Sequence, residues 1–471
     1  MPPRRRARLS SRPYSFIAAS EQYPRGWLAA RRTRPSKRAR RAVTSIAQGD
    51  DDGTPLSDEI LVGIFADLLD FSDLVRCAAT CRRWCRLVSG EADFLCRAAR
   101  RHRTAPPSLI RSLALGFFHS PRSGVAPRFA ATASATRRFG GLRQQPSLNA
   151  LVEGLDDGLF DASRVVASRN GLVVVELRRR KRERAVKLCV CNPMTGEVTI
   201  LPPLGGKEIT SPFACTVLTA DDDDDSHVSD PPSSYRLLIV YGRRGFTACR
   251  TYASDGGGGG GGWSPEAKVW DAIGLRTKAM ASMATGTGVV VRGVAYWHST
   301  SIVFGVQLGT LRAEHLSMPL SGHDPAGNTL LGVSPDGRLR VVQVVASVCP
   351  TTFKSRVAIG VCTRSAPGGK DKWDPQTVIE VVGRVLPAET TWMQLRWMCE
   401  KSGVVFFTAG CSGDQSSDVY AMILDKLQVE KVASHQGGGD GGVVPSWEGL
   451  HGYEMDQTSY LRSLAMDEDD P

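Results

Sequence analysis

Five times between residues 164 and 432 the chain repeats one design: two β-rich runs around a turn, followed by two more. The second member of each unit spans residues 186–202, 248–270, 302–319, 357–381 and 419–432. Its turn falls near residue 193, 257, 308, 366 or 425, so successive turns lie about 64, 51, 58 and 59 residues apart. The first member precedes it at 164–177, 213–241, 288–297, 329–344 and 395–409. A single hairpin is too short for such a period. Two hairpins per period give a four-stranded sheet, and sheets repeated radially close into a β-propeller. Two stacked β-sandwiches would need Greek-key crossovers and would leave the even spacing unexplained. The stretch from Leu113 to Phe160 has room for one more sheet, so about six four-stranded blades are expected.

Ahead of the repeats the pattern is helical. Ser57 suits an N-cap, and Asp58 and Glu59 place negative charge where the helix dipole favours it. Ile60, Leu61, Ile64, Phe65, Leu68 and Leu69 then recur with helical period. Ser72 and Asp73 are read as caps of a second helix carrying Leu74, Val75, Cys77 and Ala78, and a third places Cys81, Trp84, Cys85 and Val88 on one face. Three short helices bury too little surface to stand alone, so part of the apolar stripe should face a partner.

The run L-S-D-E-I-L-V-G-I-F-A-D-L, followed by D-L-V-R-C-A-A-T-C-R-R-W, resembles the F-box. Leu56, Glu59, Ile60, Ile64, Phe65, Leu68, Asp73, Leu74, Cys81, Arg82 and Trp84 fall on its pattern, while Ser57 and Thr80 replace its usual Pro and Val. Loss of the Pro loosens the entry into the first helix. The resemblance implies that Leu56, Glu59, Ile60, Ile64, Phe65, Leu68, Leu74, Cys81 and Trp84 serve the docking of a Skp-type adaptor, which joins a cullin scaffold and a ubiquitin-conjugating machine. Beyond about residue 105, S-R-N-G-L-V-V-V, C-N-P-M-T-G-E with L-P-P, and Y-E-M-D-Q-T-S-Y-L-R-S-L-A are similar to the propeller-type associated region of plant F-box proteins, especially a large grass group. These motifs mark turns and strands: Asn192-Pro193 and Thr195-Gly196 supply turn dihedrals without implying a ligand.

Charge separates the chain into unlike parts. Residues 1–50 hold 13 Lys or Arg against Glu21 and Asp50, which accounts for the whole net charge of +11. The rest is balanced, so basicity belongs to a tail, read as a disordered, solvated leader able to make non-specific polyanion contacts or to carry a nuclear address. A neutral body argues against sequence-reading of nucleic acid. No apolar run reaches the roughly 18 residues of a membrane helix. With C-x-x-C absent, the 12 Cys read as reduced, mostly buried thiols, including Cys77, Cys81 and Cys85. The acidic run Asp221 to Asp225 reads as a solvated loop, and Gly256 to Gly262 as low complexity rather than a phosphate cradle.

No G-x-S-x-G, H-E-x-x-H or P-loop is present, so neither catalysis nor a cofactor is expected. The fold class is α+β multidomain: a basic tail at 1–50, a short three-helix F-box at 55–100, a propeller-like F-box-associated domain at 105–446, and a docking segment with an acidic tail at 447–471. In that last segment Trp447, Leu450, Tyr453, Leu461 and Leu464 are expected to dock against the first blade near Leu113 to Phe118, or against the helices. The function expected is target capture for ubiquitin transfer, in the cytoplasm or nucleus. The alternative is a propeller that binds or turns over a small ligand, with the helices as a regulatory attachment.

Overall fold

The computed structural model describes residues 56–68, 71–99, 113–120, 124–139, 145–151, 158–177, 185–204, 212–219, 222, 234–243, 245–254, 262–271, 280, 283, 286, 288–299, 302–319, 328–348, 355–365, 373–411, 418–424, 426–434, 447 and 449–464. The basic tail, the glycine run before Gly262 and the acidic run apart from Asp222 lie outside the described residues.

The three expected helices are α1 (Asp58–Leu68), α2 (Phe71–Ala78) and α3 (Arg82–Gly90), and a fourth, α4 (Ala92–Ala99), completes the module. The Ser57 carbonyl accepts the Leu61 amide at 3.0 Å, as an N-cap carbonyl does. The second cap is misplaced in the sequence reading: α2 begins at Phe71, so Ser72 and Asp73 lie within its first turn, where Asp73 accepts from Arg76 at 2.7 Å. Cys81 is the N-cap of α3, its Sγ accepting the Trp84 amide at 3.4 Å.

The blades follow in chain order. β1 (Ala114–His119) and β2 (Arg128–Ala131) pair antiparallel, and the short helices α5 (Ala133–Arg138) and α6 (Leu148–Leu151) lead on. Then come β3 (Arg164–Arg169), β4 (Leu172–Glu176), β5 (Leu188–Asn192) and β6 (Glu197–Ile200). The next blade holds β7 (Phe213–Thr219), β8 (Tyr235–Gly242), β9 (Phe246–Ala253) and β10 (Ala267–Asp271). It is followed by β11 (Val289–Val291), β12 (Val294–His298), β13 (Ile302–Gln307) and β14 (Ala313–Ser317). Then β15 (Thr329–Val333), β16 (Leu339–Val348), β17 (Ser355–Thr363) and β18 (Thr377–Glu380) form a blade. The last consecutive blade is β19 (Trp392–Met398), β20 (Val404–Gly410), β21 (Asp418–Ile423) and β22 (Gln428–Ala433). Each of these five sheets is ordered as its strands occur in the chain, which is the two-hairpin unit of the sequence.

The first blade is built differently. β23 (His451–Glu454) pairs with β1, so the order is β2-β1-β23, with Phe117 opposite Gly452 and Phe118 opposite His451. An antiparallel bridge from Arg128 to Ser147 fills its outer position. This first blade is therefore not made from Leu113 to Phe160 alone, and the propeller does not stop at 446: the innermost strand of the blade comes from the segment read as a docking tail. The innermost strands then follow one another round the axis, with β23 between β19 and β3. Central strands are buried on both sides because each blade packs between two others, as Val173, Val174 and Val175 of β4 show. Two indoles staple blades at their outer ends: Trp263 donates to Pro202 O and Trp373 to Ser317 O, each at 2.8 Å.

After β23 the chain turns into α7 (Gln457–Leu464), which packs on α2, α3 and α4. Tyr460 meets Phe71 edge to face at 5.7 Å, and Arg462 pairs with Asp93. One apolar cluster runs from Leu61, Phe65 and Leu74 through Leu461 and Tyr453 into Phe118, Val173 and Cys191. The helices and the first two blades thus share a core, and both docking sites expected for this segment are used. The Asn170-Gly171 turn between β3 and β4 receives it. Gly171 has φ +78 and a Cβ there would lie 2.6 Å from Asp456 Oδ2, while its carbonyl accepts the Tyr453 hydroxyl at 3.2 Å.

The closing blade carries two buried imidazoles. His119 lies 5.1 Å from the Trp447 ring, and His451 lies 4.8 Å from Trp397. Burial, aided by Arg128, pushes His119 down to about 4; burial, aided by Arg164, pushes His451 down to about 3. Both are neutral when folded, and in the unfolded chain they protonate below about pH 6.5. Their contribution is whole above that pH and declines as pH falls toward the folded values, by about 1.4 kcal/mol per unit for each. Denaturant titrations from pH 7 to 5 should show this decline, and His451→Gln should flatten it; an unchanged slope in that variant would refute the assignment.

Candidate functional site

Two places on the molecule combine exposure or charge in a way the core does not require. The first is the outer face of α1. Its helical period sends Leu61, Phe65 and Ala66 inward and leaves Ile60 52% and Ile64 37% exposed, with Glu59 exposed beside them. Leu56 is half-buried at the entry, where its carbonyl accepts from Arg83 at 2.6 Å and Asp58 accepts from the same guanidinium at 2.9 Å. Two exposed isoleucines one turn apart are an apolar stripe without an intramolecular partner among the described residues.

The other residues expected at this surface have a different job. Phe65 and Leu74 are buried and join the helices to one another, so they present no area to a second protein. Trp84 is half-buried, its ring 5.2 Å from that of Phe65 in an edge arrangement, and Cys81 sets the start of the helix that carries it. These four hold α1 at its angle to α3. The Leu68 side chain lies outside the described residues, although its backbone closes α1.

The second place is the axis of the propeller. Arg169, at the end of β3, donates through Nε and Nη2 to both oxygens of Glu400 at 2.7 and 2.8 Å. Its remaining donors reach Asp222 at 2.6 Å twice and the Val217 carbonyl at 2.9 Å. All five guanidinium hydrogens are used, which is the geometry that makes Arg an anchor for paired carboxylates. The three side chains come from the second, third and sixth blades and are nearly enclosed, Arg169 and Asp222 at 6% and 5% exposure. Asp222 belongs to the acidic run read as a solvated loop; it is instead a buried ion-pair partner, which the sequence signals only as one member of a charge run. Beside Glu400 lies Glu454 from the end of β23, accepting the Lys401 and Ser402 amides at 3.1 and 2.6 Å, its carboxyl held above the usual range by burial. Ser168, Arg169, Glu400 and Glu454 border a cavity of about 10 Å³.

Residues 124–413, more than half of the chain, match a family described as a domain of unknown function, DUF7595. The chain belongs to the DUF7595 family. Within this DUF7595 protein residues 58–94 match the F-box-like description, and that span covers α1 to α3 and the start of α4. Curated protein sequences gave no match. Among solved structures the chain is similar to TolB from Acinetobacter baumannii, with 11% identity and a TM-score of 0.39 over 75% of this chain and 71% of that one. It is also similar to the fucose-specific lectin from Aleuria aurantia, with 11% identity and a TM-score of 0.32 over 69% of this chain and 92% of that one. The β-propeller domain of the Trilobed protease from Pyrococcus furiosus follows, at 9% identity and a TM-score of 0.29, covering 57% and 85%.

Proposed function

We propose that this protein is the target-recognition subunit of a Skp-cullin-F-box ubiquitin ligase, of the kind found in plants. The observation that carries the reading is the exposed pair Ile60 and Ile64 on the first helix of an F-box-like module. A Skp-type adaptor would cover that stripe, with Leu56 and Glu59 at its margin, and would bring the cullin scaffold with it. The propeller would hold the target, and the rate gain is effective concentration: no bond chemistry is assigned to the chain itself. Residence in the cytoplasm or nucleus belongs to the same proposal, since that is where such ligases act.

The fold supports one refinement. Strands alternate in direction, so Arg169, Glu400 and Glu454, at or just past the ends of innermost strands, share one face of the ring. α7 begins three residues after Glu454, which places the helical module on that face too. The opposite face, which does not carry the helical module, is the one we propose for the target. Among the described residues the axial cavity, about 10 Å³, is far below the roughly 300 Å³ of a typical ligand pocket, so that cavity does not favour the small-ligand alternative.

Changing Ile60 and Ile64 to Asp should abolish capture of a Skp-type adaptor while far-ultraviolet circular dichroism and Tm stay near those of the parent, since both side chains are already exposed. Capture at parental level would remove the adaptor from the proposal.

A further inference from the structure

The axial cavity has an unbalanced wall. Among the described residues that line it, Arg169 is the one cation, and Glu400 and Glu454 are the anions. The guanidinium has no donor left for Glu454, because its five hydrogens go to Glu400, Asp222 and the Val217 carbonyl. Three carboxylates therefore surround one positive charge in a region shielded from water, an arrangement that burial makes costly unless something positive joins it. A second observation points into the same space. Ser168, adjacent to Arg169 on β3, is 9% exposed, lines the cavity, and has a hydroxyl with no hydrogen-bond partner among the described residues. Buried hydroxyls are rarely left so.

We propose that this cavity binds one small monovalent cation, of the size and hardness of sodium, between Ser168 Oγ and the carboxylates of Glu400 and Glu454. The volume, about 10 Å³, admits one particle the size of a water molecule. All three donors are oxygens, which suits an alkali ion, whereas calcium or magnesium would need six or more oxygens and room for their waters. The ion would join the second blade through Ser168, the sixth through Glu400 and the first through Glu454, and so sits across the place where the ring closes.

The test uses the full chain. At constant ionic strength and pH, sodium is replaced stepwise by N-methylglucamine, a cation too large for the cavity. The Tm should fall by several degrees and with a saturable dependence on sodium, because a ligand held only by the folded state stabilises it by mass action. Ser168→Ala and Glu454→Gln should each remove most of that dependence. If Glu454→Gln does not fold, Ser168→Ala and the quadrupolar broadening of the sodium NMR signal by the parent protein decide the matter; that broadening should be absent in Ser168→Ala. A Tm indifferent to sodium, an equal sodium response in Ser168→Ala, or a Tm that follows pH alone, as a protonated Glu454 would produce, overturns the proposal.

Discussion

Truncation after Ser446 is expected to yield a chain that does not accumulate as a soluble monomer. Removing the segment strips β23 from the first blade and leaves β1 as an open edge beside the axis. It also deletes Trp447, Leu450, Tyr453, Met455, Tyr460 and Leu461, all buried. Loss of one large buried side chain costs about 2–5 kcal/mol, so six together equal or exceed the roughly 5–15 kcal/mol that stabilises a domain. The loss extends beyond the propeller, because α7 covers Phe71 and its neighbours in the helical module. Soluble yield, light scattering and adaptor capture should therefore fail together. A truncated chain that remained monomeric, with parental unfolding, would show that β23 does not complete the ring. Tyr453→Ala is the graded version: it removes a fully buried ring and its hydrogen bond to Gly171, and should cost about 3–5 kcal/mol in a denaturant titration.

Replacing Arg169 by Met should be nearly as damaging, for a different reason. The substitution keeps much of the volume but leaves Asp222 and Glu400 buried together without their shared cation. Breaking a buried ion pair on one side costs about 3–5 kcal/mol, most of it the expense of the stranded charges. The triple change Arg169→Met, Asp222→Asn and Glu400→Gln removes those charges and should recover a large part of the loss. If the single and triple variants unfold alike at pH 7, the cluster is not an ionic clamp.

The parts of this molecule that could be read from its sequence are those with local causes. Five blades announce themselves because each completes its hydrogen bonding with strands adjacent in the chain, so apolar alternation and turn residues such as Asn170-Gly171 recur at a fixed interval. The first blade has no such signal: Phe118 meets His451 across more than 300 residues, and neither neighbourhood shows the two-hairpin pattern alone. The α1 face was legible from its period, which separates Ile60 and Ile64 from Leu61 and Phe65. The F-box pattern by itself did not make that separation; it grouped Phe65, Leu74, Cys81 and Trp84 with the exposed residues, since one motif carries both the surface and the packing that supports it. The axial cluster was hidden for a third reason. Arg169 sits in a turn motif, Asp222 in a charge run and Glu400 in a hairpin turn, and what unites them is the curvature of the ring.

Closure by β23 also sets a timetable. At synthesis rates of about 5–20 residues per second, β1 waits roughly 15–65 seconds before its inner partner is made, because some 330 residues separate His119 from His451. During that interval the hairpin of β1 and β2 exposes Phe117 and Phe118, and the helical module lacks α7. The nascent chain thus displays its apolar surface for as long as the five other blades take to emerge, and dependence on holding chaperones should be concentrated in residues 56–131 rather than spread along the repeats.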